Sequence, residues 1–251
     1  YRLGEWSPEK IIYEVGSEQK IHFKQVFEAA RLLGWIKKEE LVHVAHGLIR
    51  FKDGKMSTRK GKGVKLEEVL EESIKRARQI IEKSDTSRGL PKEEIERVAE
   101  MVGVGAIKYF DLSHHYSSDI IFDWEKLFVL EGNSAPYLQY TVARTNSVIA
   151  KTKIEKGKLI IENQKLNKEE LILARTLARF PEIIIDATKN YSPNQICNYL
   201  FNLAQKYNNF YNQHRIIEGE NEELRIELTA STSRVLRNGL ILLGIQSPGR
   251  M

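Results

Sequence analysis

Cysteine is nearly absent: the 251 residues hold one, Cys197, which excludes an intramolecular disulfide framework and any zinc site built on several thiolates. Its apolar helical neighbours make a buried core thiol the expectation. Long apolar runs are also missing. Nothing approaches the length of a bilayer span, so no membrane partner is expected. Tyr1 to Lys10 shows no charged and then apolar leader, and a soluble, cytoplasmic setting is the expectation. The chain opens on Tyr1 without an initiator Met, as a piece of something longer would. No internal repeat or low-complexity segment stands out. Metal-ligand spacing is missing as well. His43 and His46 stand three apart on a strand candidate and so face opposite sides, while His114 and His115 are adjacent and diverge. No protein-held metal is expected.

What is there is a packable chain with segregated charge. A hydrophobic content of 41% with 9% aromatics supports packed cores rather than disorder, and the length allows two domains. Residues 1–49 balance at seven basic against seven acidic; 50–65 carry seven against one. Residues 66–136 have nine against fifteen, and 137–251 sixteen against eleven. A basic loop, an acidic connector and a basic terminal region fit a polyanion touched at two places.

Periodicity divides the chain in the same way. Ile11 to Gly16 reads as a buried strand ending in a glycine turn. Glu18 to Leu33 then repeats Ile21, Val26, Phe27, Ala30 and Leu33 near helical spacing, and Leu41 to Val44 is a second short strand. Strand, helix and strand make an α/β unit, like the tail of a nucleotide-binding fold. Residues 46–51 pair or turn before the basic loop. Leu66 to Lys83 is an amphipathic helix through Leu66, Val69, Leu70, Ile74, Ala77 and Ile81. A loop follows at 84–89, and Pro91 opens a helix to about Phe110. From Trp124 onward an α-helical bundle is expected. Asn133 or Ser134 caps one helix, Asn167 with Glu170 another; Ser192-Pro193 starts a third and Gly244 ends the last.

The stretch Asp53-Gly54-Lys55-Met56-Ser57-Thr58-Arg59-Lys60-Gly61-Lys62-Gly63 joins cations to glycines and small hydroxyls. On charge alone it is either a solvated basic loop or a phosphate clamp. Gln19 and His22, three apart at a helix start beyond a strand, are either ordinary polar positions or a pair converging on a ligand. Tyr137 and Tyr140 share a helical face, and Tyr207, Phe210 and Tyr211 run along another helix. Aromatics so spaced are mostly core, yet such rings also stack splayed RNA bases while Lys and Arg hold the backbone.

Lys-Met-Ser followed by further cations resembles the K-M-S-K-S loop of class I aminoacyl-tRNA synthetases, and M-S-T-R-K-G is similar to the arginyl-tRNA synthetase form. The resemblance continues, in the family's order, through Val15-Gly16-Ser17-Glu18-Gln19-Lys20-Ile21-His22-Phe23 and Ser118-Asp119-Ile120-Ile121-Phe122-Asp123-Trp124. It then runs through Glu131-Gly132-Asn133-Ser134-Ala135-Pro136-Tyr137-Leu138-Gln139-Tyr140 and Leu242 to Met251. It covers nearly the full chain. It implies a mainly α protein: a C-terminal remnant of a Rossmann-type α/β catalytic domain over 1–65, a helical connector over 66–123 and an α-helical anticodon-binding domain over 124–251. The H-I-G-H signature, upstream of these blocks in the family, is absent, as is most of the arginine pocket.

The implied activity is ATP-dependent joining of arginine to its tRNA through arginyl-adenylate, with the chain alone inactive. Lys55, Ser57, Arg59 and Lys60 take the catalytic roles, and Thr58 stands where the family's second lysine would be. Lys55, Met56, Ser57 and His22 meet ATP, which brings Mg²⁺, and Gln19 holds arginine. Tyr137, Tyr140, Tyr211 and Met251 match positions that contact anticodon-loop nucleotides, with Arg144 and Arg250 as phosphate partners. The implied partners are arginine tRNA, L-arginine and ATP, on a monomer. The acidic stretch Glu67 to Glu72 is expected to restrain the basic loop when ATP is absent. Two alternatives remain at this stage, a non-catalytic RNA-binding module and another class I enzyme such as the cysteinyl one.

Overall fold

Alternation along Lys10–Gly16 produces a strand with one face turned inward: Ile11, Tyr13 and Val15 are half-buried while Ile12 stays 51% exposed. A computed structural model describes residues 1–51, 54–55, 65–83, 91–152 and 165–250, with the backbone alone at 51, 54 and 55. A short helix α1 (Arg2–Trp6) precedes this strand, β1. One 3₁₀ turn, Ser17–Gln19, leads into α2 (Lys20–Leu32), and β2 (Glu40–His46) pairs parallel with β1 from Lys10↔Glu40 to Gly16↔His46. Parallel pairing requires a crossover, and α2 supplies it. The helix packs through Phe23 and Phe27, whose rings lie 5.2 and 5.4 Å from that of Tyr13. The sequence stripe is therefore corrected. Ile21, Val26 and Leu33 are exposed, because Phe23, Phe27 and Ala30, spaced four and three apart, form the face that meets β1.

A second sheet has the order β4-β3-β5: β3 (Ile49–Phe51) pairs antiparallel with β4 (Gly54–Lys55) and parallel with β5 (Ile120–Phe122). The stretch 66–123 is thus not helical throughout. Gly47 is needed on entry to β3, since a Cβ there would sit 2.2 Å from the Ser118 carbonyl oxygen. The chain divides into two compact units, Tyr1–Met56 with His114–Phe122, and Ser57–Ser113 with Asp123–Met251.

The second unit is helical. α3 (Leu66–Lys83) buries Val69, Ser73, Ala77 and Ile81, one every fourth residue, against α4 (Lys92–Leu112) at Val98, Ala99 and Val102. Leu66 remains 67% exposed, outside that stripe. The two backbones nearly touch: a Cβ on Gly103 would lie 2.7 Å from Ile74 Cα, and the Ser73 hydroxyl donates to the Gly103 carbonyl at 2.8 Å. After α5 (Trp124–Leu127) come α6 (Ala135–Lys151), α7 (Lys168–Ala178), α8 (Phe180–Lys189), α9 (Asn194–Gln213) and α10 (Glu222–Leu242). Ser134 caps α6 by accepting from Tyr137 N; Asn133 instead accepts from the Tyr109 hydroxyl at 2.6 Å. Asn167 and Glu170 form the full capping box of α7. Gly244 at φ 66 turns the chain out of α10 in the left-handed conformation glycine favours.

The core of this bundle contains Leu138, Leu173, Leu200, Leu203, Tyr207, Phe210, Leu236 and Leu240, all fully buried. Each such leucine contributes about 1.5–3 kcal/mol by leaving water. Among the described residues no helix is long and apolar enough to cross a membrane.

Candidate nucleotide and nucleic-acid sites

In the first unit the functional candidates gather where the parallel strands end. Gly16 and His46 are the last paired residues of β1 and β2, the end at which open parallel sheets bind ligands. Gln19 stands at the start of α2 and His22 in its first turn; both are exposed just beyond β1. The deeper histidines are occupied. His43 Nε2 donates to the Val15 carbonyl at 3.0 Å with its ring 4.5 Å from Phe23, and His46 Nδ1 donates to the Gly47 carbonyl at 2.8 Å. A carbonyl only accepts, which fixes each donor nitrogen. The His43 ring thus packs on Phe23 and links β2 to β1, while the His46 ring bonds the residue that follows it. His115 lies 4.5 Å from Tyr116 in a stack and meets Ser117 Oγ at 2.9 Å.

The entry to the basic loop is anchored by Asp119, which accepts from Leu48 N at 2.9 Å and from Arg50 at 2.6 Å. One nitrogen of the half-exposed Arg50 guanidinium is thereby tied to Asp119. Lys55 closes β4, with its backbone opposite Arg50. The Lys55 side chain, and Met56, Ser57, Thr58, Arg59 and Lys60, lie outside the described residues, as does Met251. Of the acidic stretch proposed to restrain them, Glu72 is paired within its own helix, with Arg76 at 2.7 Å and Lys75 at 3.7 Å. Glu68 accepts from Lys65 N at 3.4 Å.

In the second unit α6 and α9 bring four of the sequence candidates together. The Arg144 guanidinium lies 4.8 Å from the Tyr140 ring centre and 4.9 Å from that of Tyr211. Both rings are 37% exposed. Arg144 also donates to the Tyr140 hydroxyl at 3.1 Å and to Asn208 Oδ1 at 2.7 Å. Asn208 Nδ2 donates to the Tyr137 hydroxyl at 2.9 Å and to Thr141 Oγ1 at 3.2 Å. The expected aromatic set therefore divides. Tyr207 and Phe210 are fully buried core, and burial pushes the Tyr207 hydroxyl pKa up. Tyr140 and Tyr211 keep ring area for a ligand, while Tyr137 is half-buried with its edge on Phe201 at 5.6 Å. A cation between two exposed rings is an arrangement that stacks planar groups and neutralises phosphate. Arg250 is exposed on the tail beyond α10 and has no described contact with this cluster.

Two contributors escaped sequence reading. Asn208 carries no motif; its only signal is a polar position one turn before Tyr211. Gln139, fully buried, donates to the carbonyls of Met101 at 3.1 Å and Gln246 at 2.7 Å, tying α6 to α4 and to the terminal tail. Lys108 adds a bond to the Gly244 carbonyl at 2.6 Å.

Comparison with known proteins draws the boundary elsewhere than the two compact units do, between residues 124 and 138, so that α3 and α4 fall in the N-terminal match. Residues 1–124 match the model of the class I tRNA synthetase (R) catalytic domain, and residues 138–251 match the DALR anticodon binding domain. The two matches place the chain in the class I aminoacyl-tRNA synthetases as a group. The arginine–tRNA ligases of Chloroflexus aggregans and Fusobacterium nucleatum are each 40% identical to the chain over its full length, with 44% of their own length covered. The arginyl-tRNA synthetase of Thermus thermophilus superposes with a TM-score of 0.84 at 29% identity, over 97% of this chain and 41% of that one. That of Plasmodium falciparum gives 0.85 at 26%, over 100% and 43%. The chain belongs to the arginyl-tRNA synthetase family and corresponds to its C-terminal part. It spans less than half the length of the relatives it matches. The cysteinyl alternative is set aside.

Proposed function

We propose that this chain is the part of an arginine–tRNA ligase that closes over ATP and reads the anticodon. The arginine carboxylate attacks the α-phosphate of ATP, forming arginyl-adenylate and releasing pyrophosphate. A hydroxyl of the terminal ribose of tRNA then takes the arginyl group and AMP leaves. Negative charge grows on the α-phosphate and pyrophosphate oxygens, so cations that engage them most strongly in the transition state accelerate the step. Lys55 supplies one, and Arg59 or Lys60 replaces the family's second lysine, whose place Thr58 holds. Ser57 donates to phosphate, Met56 contacts ATP, and Gly54, Gly61 and Gly63 let the loop close and reopen. His22 faces ATP and Gln19 the arginine. Mg²⁺ arrives with ATP, held largely by phosphate and water.

In this reading residues 1–65 end the catalytic domain, 66–123 lie along the tRNA, and 124–251 bind the anticodon through Tyr137, Tyr140, Arg144, Tyr211, Arg250 and Met251. The chain acts as a monomer in the cytoplasm and does not catalyse alone. Bound tRNA precedes adenylate formation. The observation that supports the reading best is Arg144 between the exposed rings of Tyr140 and Tyr211, on the segment matched to an anticodon-binding domain. The test is binding of the chain to arginine tRNA and to the same tRNA with exchanged anticodon bases, at one salt concentration. Loss on exchange is expected. Equal binding would reduce the bundle to a backbone-holding module.

A further inference from the structure

Asn208 sits at the junction of the exposed cluster with the helical core, and its amide can be oriented only one way. The Arg144 guanidinium offers donors and no acceptor, so the atom facing it at 2.7 Å is Oδ1. Nδ2 then faces the Tyr137 hydroxyl at 2.9 Å and Thr141 Oγ1 at 3.2 Å. Thr141 is fully buried and its hydroxyl donates to the Tyr137 carbonyl at 2.9 Å, so its oxygen is free to accept from Asn208. One end of the amide is therefore tied to a buried helix position, and the other grips a cation that lies between two exposed rings.

We propose that Asn208 is a positioning residue for base discrimination, acting through Arg144. An arginine side chain on a surface explores many rotamers, and two flanking rings alone let the guanidinium rotate about the axis through them. The bond to Asn208, with the longer one to the Tyr140 hydroxyl, removes that rotation, and of the two partners only Asn208 is itself tied to a buried helix position. That bond sets which N–H groups of Arg144 face a base placed on Tyr140 or Tyr211. The cluster thus presents fixed donors, and fixed donors separate bases by their acceptor edges, whereas a mobile cation only attracts phosphate. This inference rests on the proposed anticodon reading and adds to it a residue that touches no RNA itself.

The test is a double-mutant cycle on the whole chain, with Asn208→Ala, Arg144→Ala and the pair, alongside Asn208→Asp. The probes are the anticodon stem-loop of arginine tRNA and the same stem-loop with its loop bases exchanged. The readout is the ratio of the two affinities, with thermal unfolding measured in parallel. The unsubstituted chain must first separate the two probes; equal binding there would defeat the anticodon reading itself. Given that separation, Asn208→Ala is expected to lower the ratio several-fold, and adding it to Arg144→Ala is expected to lower it no further. Asn208→Asp, which retains an acceptor for Arg144, is expected to restore most of the ratio even though its charge weakens binding to both probes alike. Additive losses in the pair would overturn the proposal, as would an Asp variant no better than Ala. A ratio unchanged in Asn208→Ala, with stability lowered, would reduce the residue to packing.

Discussion

Among single residues, exposure separates two kinds of tyrosine that sequence spacing could not. Tyr140→Ala and Tyr211→Ala each remove a half-solvated ring and are expected to cost RNA affinity about 1–3 kcal/mol per stacked base while leaving the melting temperature nearly unchanged. Phe210→Ala opens a cavity in the bundle and is expected to cost about 3–5 kcal/mol of stability, read by urea unfolding. Arg225 and Glu170 form a buried ion pair at 2.7 Å, with side chains 7% and 0% exposed. Glu170 also caps α7, and Arg225 donates to the Arg215 carbonyl at 2.8 Å. Arg225→Met strands a buried carboxylate, so a loss of about 3–5 kcal/mol is expected in the same assay. Burial moves the Cys197 thiol from its ordinary 9.0 up to about 12, and the Tyr199 hydroxyl from 10.0 to about 12. Both raised values favour the protonated folded form. Their contribution is intact below pH 9, where the unfolded groups also keep their protons, and is lost as pH rises from there toward 12. Urea midpoints are therefore expected to fall progressively above pH 9, and alkylation of Cys197 should require unfolding.

Close approach matters most among the elements. α3 and α4 touch at Gly103, where any Cβ meets the Ile74 backbone rather than a side chain able to swing away. Gly103→Ala is expected to cost about 1–3 kcal/mol in thermal unfolding, as overpacking does. A substitution at Gly4, with nothing within reach of a Cβ, should be neutral by comparison. The elements legible in sequence were the long amphipathic ones. α3 and α4 were marked by apolar spacing and Pro91, α7 by its capping pair and α10 by Gly244. β5 was invisible. Three residues hold too little periodicity to mark a strand, and its pairing depends on β3, some seventy residues earlier. The buried face of α2 also departs from the apolar spacing, since an excess of apolar residues makes several stripes equally good until Tyr13 selects one.

For the whole molecule, the two units differ in how much they bury. Among the described residues the first buries few apolar side chains, Phe27, Val44, Ala45, Ile120 and Phe122, whereas the second encloses the leucine and tyrosine core of the bundle. Amide exchange in β1 and β2 is therefore expected to be faster than in the middle of α9 and α10, measured by hydrogen–deuterium exchange of the intact chain. The charge profile adds an expectation for binding. Residues 137–251 carry sixteen basic against eleven acidic side chains, so affinity for the anticodon stem-loop should fall linearly on logarithmic axes as salt rises. A salt-independent affinity would mean that the basic surface is not what meets RNA.

The sequence by itself determined the family, through ordered motif blocks, and the mainly helical architecture, through apolar periodicity and capping residues. It also identified Tyr137, Tyr140, Arg144 and Tyr211 as a candidate set. Tertiary structure decided which of the neighbouring aromatics are core, that Arg50 is held by Asp119, and that Asn208 grips Arg144 from another helix. Local patterns are written in spacing along one element. Burial and hydrogen-bond partners depend on which elements meet, and α6 and α9 bring residues more than sixty positions apart within bonding distance.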